Sequence, residues 1–191
     1  MVITQKVSRP KEEYVIVLDY LQHGYSEDSR PFHKKEAIVQ AIGRDHFVLL
    51  ELVPMEGVFL KPYDEVYIGE GKRDKIAYIK SGITPDKLTQ TARTELPFVI
   101  EKLIDQKAEK FVTYYNTAGP ISLRSHQLEL LPGIGKRHAK ELLAEREKAP
   151  FKDFEDIKQR VTSIPDPKKA IVQRILMELE GADRYRLFLG V

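Results

Sequence analysis

The sequence predicts an α+β fold, in which a small five-stranded β-barrel comes first and a set of helices follows. Short apolar segments separated by turn residues fill residues 1–82. After Thr84-Pro85 the apolar residues recur at helical spacing instead. The chain has 191 residues, of which 42% are hydrophobic, so it is long enough to bury a substantial core.

Five segments have the composition of β-strands. They are residues 13–21, 36–42, 46–53, 65–69 and 75–80. The continuous apolar run in the first suits a strand that is buried on both faces. Gly43-Arg44-Asp45 predicts a hairpin between the second and third strands, and residues 69–74 predict one between the fourth and fifth. Five antiparallel strands in this length favour a small closed barrel of the OB type, with an SH3-like barrel as the alternative.

Two helices are predicted between the barrel and residue 119. Thr84 can cap a helix that begins at Pro85 and reaches about residue 95. Pro97 predicts the start of a longer helix, which reaches about Asn116. One face of this longer helix is apolar, which favours packing between two halves of the molecule and, as the alternative, docking of a partner protein.

The last part of the chain is predicted as short helices that follow capping residues or turns. The first follows Ser122 and reaches residue 130, and the second runs from Lys136 to residue 148. The third follows Asp153, and the last follows Asp166 and ends at Gly181. Residues 184–189 are predicted as a short terminal strand. The predicted domains are therefore a barrel at 1–82, connecting helices at 83–119 and a helical domain at 120–191.

Composition and charge exclude several classes of protein. The chain has no Cys, which excludes disulfides, a Cys nucleophile and Cys-based zinc sites. No apolar run approaches the ~18 residues of a membrane helix, and with no secretory signal visible we expect a cytoplasmic protein. Residues 120–191 carry 14 basic and 11 acidic side chains, a net charge of +3, whereas residues 1–119 have a net charge of −1. The basic last part is compatible with a polyanionic partner.

The segment Leu131-Pro132-Gly133-Ile134-Gly135-Lys136 lies between two predicted helices, and its residue types indicate a binding site. Its two glycines permit a tight turn and close approach of a ligand to the backbone. Ile134 can point inward and anchor that turn, while the free N–H groups that begin the next helix point outward. Such a helix start favours phosphate, and Lys136, Arg137 and Lys140 can add charge contacts. A backbone-amide site of this kind reads the sugar-phosphate geometry and not the base.

This segment resembles the helix-hairpin-helix family. The residues that carry the resemblance are Leu131 to Lys136, Ala139, Leu142, Leu143, Arg146, Pro150-Phe151, Glu155-Asp156-Ile157 and Val161. The resemblance implies a tandem unit whose second hairpin is Ser163-Ile164-Pro165-Asp166-Pro167. That second hairpin lacks the glycines, which indicates a degenerate hairpin that serves packing or, as the alternative, one with altered nucleic-acid contact. Phosphate binding is carried over to Gly133, Ile134, Gly135, Lys136 and Arg137; the alternative is that the hairpin is a structural connection.

The whole chain also resembles an uncharacterised archaeal family of proteins described as RNA-binding. The resembling segments are residues 14–25 (YVIVLDYLQHGY), 57–75 (GVFLKPYDEVYIGEGKRDK) and 128–136 (LELLPGIGK). The resemblance covers nearly the full length. It implies an OB-like barrel joined to a helix-hairpin-helix region and RNA as the ligand, with no assigned reaction.

Two barrel loops are further candidates for nucleic-acid contact, since OB barrels bind through such loops. Aromatic and basic side chains together suit single strands, because rings stack on bases while charges follow the backbone. The candidates are Tyr25, Phe32, His33, Lys34 and Lys35 in the first loop and Lys72 and Arg73 in the second. The first loop also carries Glu27 and Asp28, so a solvated loop with aromatics packed on the barrel rim is the alternative.

We expect a binding protein and not an enzyme, with no cofactor and no metal. The five His residues show no zinc-protease spacing. The carboxylates of Asp64, Glu65, Glu70 and Asp74 alternate with basic residues, which favours a solvated ion-pair surface over a Mg²⁺ site. Some DNA glycosylases contain a helix-hairpin-helix and carry a catalytic Asp after the hairpin, and Asp153 and Asp156 follow the hairpin in this sequence. Both residues fit helix-capping positions, which is the favoured interpretation.

The function expected from the sequence is nucleic-acid binding, with RNA favoured over DNA on the family resemblance. A DNA-processing enzyme or accessory factor is one alternative. A protein-interaction adaptor in a nucleic-acid machine is the other, so protein partners are possible, whereas a membrane partner is not expected.

Overall fold

The first part of the chain forms a sheet of five strands. The structure is a computed structural model that describes residues 11–31 and 34–190. The strands are β1 (Tyr14–Leu21), β2 (Ile38–Gly43), β3 (Leu49–Pro54), β4 (Glu65–Tyr67) and β5 (Ile76–Gly82). Their ends lie within three residues of those predicted from the sequence, so the five predicted strands are confirmed.

The five strands form an antiparallel half-barrel in the order β4-β1-β2-β3-β5. β2 and β3 pair as a hairpin, as predicted, with Ile42 opposite Leu49. The predicted hairpin between β4 and β5 is wrong, because β4 pairs with β1 and β5 pairs with β3. These two strands lie at opposite edges of the sheet, and within the described ranges they do not pair with each other. The sheet is therefore a curled half-barrel and not the closed barrel that was expected.

Backbone hydrogen bonds explain why the segment between β4 and β5 is not a hairpin. Ile68, directly after β4, donates its N–H to the Glu13 carbonyl at 2.7 Å. Before β5, the Lys75 carbonyl accepts from Met55 N–H at 2.9 Å. The chain thus passes from the β1 side of the sheet to the β3 side. A turn signal in the sequence cannot show which strands its flanks pair with.

The core of the half-barrel is one cluster of apolar side chains. Its buried members are Val15, Val17, Val39, Ala41, Leu52, Leu60, Val66, Ile68 and Ile76. The apolar run of β1 is buried from Val15 to Leu18, so the prediction of a strand buried on both faces is confirmed for this half of β1. Full burial of each large aliphatic side chain contributes about 1.5–3 kcal/mol.

A buried polar network joins the sheet to the loop after β1. Gln40 has no exposed surface, and its amide nitrogen donates to the Tyr25 hydroxyl at 2.7 Å and to the Lys87 carbonyl at 2.9 Å. Its amide oxygen accepts from Thr89 N–H at 2.8 Å. The Tyr25 hydroxyl in turn donates to the Glu51 carboxylate. The buried amide is thereby satisfied by specific partners, so it fixes this loop to the sheet and does not destabilise the core.

The described residues form five α-helices, of which those after residue 120 largely follow the predicted pattern. They are α1 (Gln90–Gln106), α2 (Ala108–Thr117), α3 (Lys136–Lys148), α4 (Phe154–Arg160) and α5 (Pro167–Glu180), with 3-10 helices at Pro85–Lys87 and Gln127–Leu130. α3 has the predicted bounds. Asp153 caps α4 by accepting from Asp156 N–H at 2.7 Å, and Gly181, with a φ of +71°, follows α5, both as predicted.

Pro97 does not start a helix, because α1 runs through it and ends at Gln106. The predicted helix from Pro85 to about residue 95 is accordingly only one 3-10 turn followed by α1. A proline inside a helix costs about 3 kcal/mol. The buried side chains of Leu96, Val99 and Ile100 continue across it, and their burial, at about 1.5–3 kcal/mol each, outweighs that cost.

The predicted helix that Ser122 would cap is also wrong. A small hairpin, β6 (Pro120–Ser122) and β7 (Ser125–His126), precedes the 3-10 helix. The Ser122 hydroxyl lies 2.8 Å from the Ser125 hydroxyl, so it bonds across the hairpin and not to a helix. His126 is the cap, because its Nδ1 accepts from Leu128 N–H at 3.1 Å.

The terminal strand predicted at residues 184–189 is absent, although this range is described. Phe188 is 6% exposed. The segment thus contributes a buried apolar side chain without forming a strand. Its apolar pattern alone could not distinguish this arrangement from a strand.

The chain divides into two compact units. The described residues from 11 to 99 and from 179 to 190 belong to one, and residues 100–178 belong to the other. The chain passes from one unit to the other at two places, within α1 between Val99 and Ile100 and within α5 between Glu178 and Leu179. The three domains predicted from the sequence stay a prediction.

A buried ion pair lies within the second unit. Arg174 on α5 donates to the Glu178 carboxylate at 2.8 Å, and the two residues are 1% and 3% exposed. The same guanidinium donates to the Leu130 carbonyl at 3.1 Å. Since Leu130 is the last residue of the 3-10 helix, this contact fixes the end of that helix against α5.

We expect Arg174→Met to lower the free energy of unfolding by about 3–5 kcal/mol, because it removes the positive charge that neutralises the buried Glu178 carboxylate. Denaturant unfolding monitored by circular dichroism measures this change. The double variant Arg174→Met, Glu178→Leu is the control and should recover much of the loss. A single variant as stable as the wild type would contradict the proposed importance of the pair.

Burial and the hydrogen bond to Glu51 raise the pKa of Tyr25 to about 12, whereas an ordinary tyrosine titrates near pH 10. Because the folded pKa is the higher one, the stabilisation by the neutral hydroxyl is complete below about pH 10 and is lost as the pH rises through about 12. A ¹³C NMR titration of labelled tyrosine should show Tyr25 protonated at about pH 11. Glu51→Gln should lower its midpoint, and a wild-type midpoint near 10 would disprove the assignment.

Candidate nucleic-acid interface

The turn from Leu131 to Gly135 connects the 3-10 helix at Gln127–Leu130 to α3. Ile134 donates its N–H to the Leu131 carbonyl at 3.0 Å. The Ile134 side chain is 3% exposed, so it anchors the turn in the core of this unit, as the sequence predicted. The backbone on either side is consequently held at the surface, where Gly133 and Gly135 are both exposed.

The two glycines of the turn have different physical roles. Gly133 has a φ of +80°, and a Cβ there would lie 2.8 Å from Pro165 Cγ. The fold therefore requires a glycine at this position. Gly135 has a φ of −91°, which any residue can adopt, and a Cβ there would meet nothing within 4 Å. Nothing in the described part of the chain explains the glycine at 135.

The N-terminus of α3 has no side-chain cap. Gly135 is the N-cap residue, so no side chain accepts from the first-turn N–H groups, and the first turn holds no acidic residue. Lys136, Arg137 and Lys140 are exposed beside it. The Arg137 guanidinium donates to Glu141 at 3.0 Å. The helix therefore presents unsatisfied amide donors and positive charge at one place on the surface.

The start of α5 is built differently. Asp166 accepts from Lys169 N–H at 3.0 Å and pairs with the Lys158 ammonium at 2.6 Å. Burial acts to raise the pKa of Asp166, but the hydrogen bonds from Lys158 and the backbone hold it below its ordinary value. A carboxylate thus already occupies the position that an external anion would take, so only α3 of these two helices has an open start.

The turn between α4 and α5 supports the turn before α3. Pro165 lies against Gly133, and the Ser163 hydroxyl donates to the Glu141 carboxylate on α3. The hydrogen bonds from Ser163 and Arg137 lower the pKa of Glu141. Residues 161–166 therefore fix the position of α3 through contacts with its side chains and with the preceding turn.

A surface cleft of about 400 Å³ adjoins this helix start. Its lining comes from the β6–β7 hairpin on one side and from α3 on the other, with Lys136 and Lys140 among the residues. The sequence did not predict the contribution of the hairpin, because residues 122–130 read as a helix. Ser122-Leu123-Arg124-Ser125 contains no Gly, Pro, Asn or Asp, and its two Ser residues are weaker turn formers, so no strong sequence signal was available.

The candidate residues of the first barrel loop are placed less favourably. Tyr25 is half-buried and its hydroxyl is bonded within the network of Gln40 and Glu51. Lys34 is exposed and Lys35 is half-buried, while Phe32 and His33 lie outside the described residues. Hydrogen bonds from Arg30 lower the pKa of Asp28 to about 2, so this loop acid is ionised and neutralised within the loop.

The second set of barrel residues does not meet the first. Lys72 is exposed, and Arg73 donates to the Gly69 carbonyl at 3.0 Å. Gly69 follows Tyr67, which pairs with Tyr14 at the beginning of β1, whereas the first loop follows the end of β1. The two sets thus begin at opposite ends of one strand. Among the candidates that the structure describes, those brought together in one place are Gly133, Ile134, Gly135, Lys136, Arg137 and Lys140.

Within residues 11–31 and 34–190, no group of three or more His, Asp or Glu residues could hold a metal ion. No helix in these ranges is both long enough and apolar enough to cross a membrane.

Comparison with known proteins places the chain in a family. A family model described as "Protein of unknown function (DUF655)" matches residues 11–190. An uncharacterised protein of Methanocaldococcus jannaschii is 38% identical over 188 residues, which cover 96% of this chain and 83% of that protein. A crystal structure of a protein from Archaeoglobus fulgidus, also assigned to DUF655, has a TM-score of 0.88 and 44% identity, and the match covers 93% of this chain and 99% of that one. The chain therefore belongs to the DUF655 family of uncharacterised proteins, which has members in archaea.

Proposed function

We propose that this protein binds nucleic acid, RNA in preference to DNA, by holding a backbone phosphate at the start of α3. The observation that carries the proposal is the open helix start at Gly135. This glycine has no structural explanation, since a Cβ there would meet nothing within 4 Å, and the helix that it begins has neither a side-chain cap nor an acidic first turn. A phosphate that approaches the backbone closely would explain all three features.

The proposed architecture is a tandem helix-hairpin-helix unit. Its first half is the 3-10 helix at Gln127–Leu130, the turn and α3, and its second half is α4, residues 161–166 and α5. The contact between Gly133 and Pro165 supports this pairing of the two turns. The second turn is capped by Asp166 and acts in packing, so one phosphate site per chain is expected. For the half-barrel we propose an OB-like ancestry.

The binding chemistry follows from the groups at the site. Backbone N–H groups of the first turn of α3 donate to phosphate oxygens, and Lys136 and Lys140 add positive charge. Such contacts recognise the sugar-phosphate backbone and do not depend on the identity of the bases. Affinity should therefore fall steeply with salt concentration. The preference for RNA rests on the resemblance to a family described as RNA-binding, and the barrel residues Lys34, Lys35 and Lys72 are proposed as secondary contacts.

We expect Gly135→Asp to separate stability from binding. The extended backbone at this position suits an N-cap residue, and Asp is at least as good an N-cap as Gly, so stability should be unchanged or higher by a few tenths of a kcal/mol. The new carboxylate would occupy the phosphate position, and affinity for RNA should fall by about tenfold or more, as expected for loss of a charge-assisted hydrogen bond. Thermal unfolding and fluorescence anisotropy measure the two effects. A stable variant that binds RNA like the wild type would show that phosphate does not bind here.

We expect Lys136→Glu to weaken binding roughly tenfold and to reduce the slope of log affinity against log salt by about 0.7 to 0.9, the value of one phosphate contact. Anisotropy titrations at several salt concentrations, with matched single-stranded and duplex RNA and DNA, provide both quantities and rank the four ligands. Lys110→Glu, an equal charge change at an exposed position on α2, is the control and should have a smaller effect. Equal effects of the two substitutions would point to a general influence of net charge.

A further inference from the structure

The tip of the β6–β7 hairpin presents a leucine that is fully exposed. Leu123 has a relative exposure of 107%, so no other part of the described chain covers it. It lies in a two-residue connection between Ser122 and Ser125. Leu is not a residue that favours turns, since it supplies neither a positive φ nor a side-chain hydrogen bond. Neither packing nor turn chemistry therefore explains this side chain.

The hairpin that carries Leu123 is held firmly at its base. Gly119 donates its N–H to the Gln127 side chain at 2.8 Å and accepts from Gln127 N–H at 2.9 Å. The Gln127 carbonyl accepts from the Tyr114 hydroxyl at 2.9 Å. Near the tip, the two hydroxyls of Ser122 and Ser125 lie 2.8 Å apart. These bonds give the tip a defined position relative to α2 and the 3-10 helix.

His126 strengthens the second strand of the hairpin. Its backbone N–H donates to the Glu129 carboxylate at 2.9 Å, while its Nδ1 accepts from Leu128 N–H. Burial and the positive charge of Arg146 lower the pKa of His126, so the ring is neutral near pH 7 and its Nδ1 remains an acceptor. The one acid in the cleft lining, Glu129, is thereby engaged in a capping bond.

The leucine and the proposed phosphate site share one cleft. Leu123 and Arg124 line it from the hairpin, and Lys136 and Lys140 line it from α3. The cleft holds about 400 Å³, and its charged lining is mostly positive. A polyanion bound at α3 would therefore meet an exposed apolar side chain next to a bound phosphate. Apolar side chains so placed act as wedges that enter between neighbouring bases and unstack them.

We propose that Leu123 is a wedge and that the preferred ligand is an RNA duplex interrupted by a bulge. This inference rests on the proposed function, because the phosphate site at α3 positions the RNA. Entry of a side chain into a continuous duplex requires unstacking of a base step, which costs free energy. At a bulge the stack is already interrupted, and bulges are the elements of RNA whose bases proteins reach. The wedge should therefore make the protein selective for the shape of the RNA and leave it indifferent to base identity.

The test compares two RNA duplexes of the same sequence, one continuous and one with a single-nucleotide bulge flanked by 2-aminopurine. Anisotropy titration of the full chain gives the affinity ratio, and 2-aminopurine fluorescence reports unstacking. We expect the wild type to bind the bulged duplex about tenfold more tightly, since unstacking one step costs at least as much free energy as a tenfold affinity change, with a rise in fluorescence. Leu123→Ala should bring the ratio close to one and remove the rise.

Two control variants separate the wedge from other effects. Leu123→Met keeps an apolar side chain of similar volume and should retain the preference and the fluorescence rise. Phe98→Ala removes a side chain that is 59% exposed elsewhere, on α1, and should change neither quantity. An equal loss in Leu123→Ala and Phe98→Ala would overturn the wedge in favour of a general apolar effect.

The outcomes distinguish failure of the wedge from failure of the proposed function. If the wild type binds both duplexes equally, with an affinity that falls in Lys136→Glu, the wedge is wrong and the phosphate site stands. If the wild type binds neither duplex at low salt, both proposals are wrong. A bulge preference that survives Leu123→Ala would also overturn the wedge.

Discussion

The buried ion pair between Arg174 and Glu178 is the constraint on which the helical unit depends. A guanidinium that is 1% exposed is tolerated in a protein interior only when charged and polar partners surround it. Here its partners are a carboxylate one turn further along α5 and the Leu130 carbonyl, which precedes the turn before α3. The guanidinium thus fixes α5 to the residue directly before that turn. The Tyr115 hydroxyl on α2 donates to the Pro167 carbonyl on α5 at 2.8 Å, so the same constraint extends to α2.

The two helix starts in this unit show how similar backbones acquire different roles. α5 begins behind Asp166, whose carboxylate already satisfies a first-turn amide and pairs with Lys158. α3 begins behind Gly135, which has no side chain to do so. The first arrangement stabilises the fold by itself, whereas the second leaves hydrogen-bonding capacity for a ligand. A position that forgoes even the roughly few tenths of a kcal/mol by which a capping side chain exceeds glycine is a reason to look for function there.

Much of this site could be predicted from short-range sequence pattern. The bounds of α3, the inward position of Ile134 and the cap at Asp153 all depend on neighbours within a few residues, so local rules determined them. The same rules failed at Pro97, where burial of Leu96, Val99 and Ile100 outweighs a local helix-breaking preference. They failed again at Ser122, whose hydroxyl bonds across a hairpin that local pattern does not distinguish from a capped helix. At Pro97 burial in the core overrides the local preference, and at Ser122 the hairpin is held at its base by the bonds between Gly119 and Gln127.

Local sequence pattern was sufficient to predict the five strands, the mixed α+β class and the glycine turn before α3, because each depends on the alternation of apolar residues or on a few adjacent side chains. The folded chain was needed to show that β4 and β5 lie at opposite edges of the sheet, since strand pairing depends on residues far apart in the chain. It alone distinguished Gly133, where a Cβ would lie against Pro165, from Gly135, where a Cβ would meet none of the described residues within 4 Å. It also revealed Leu123 at the edge of the cleft beside α3, because the exposure of a side chain depends on every segment that could have covered it.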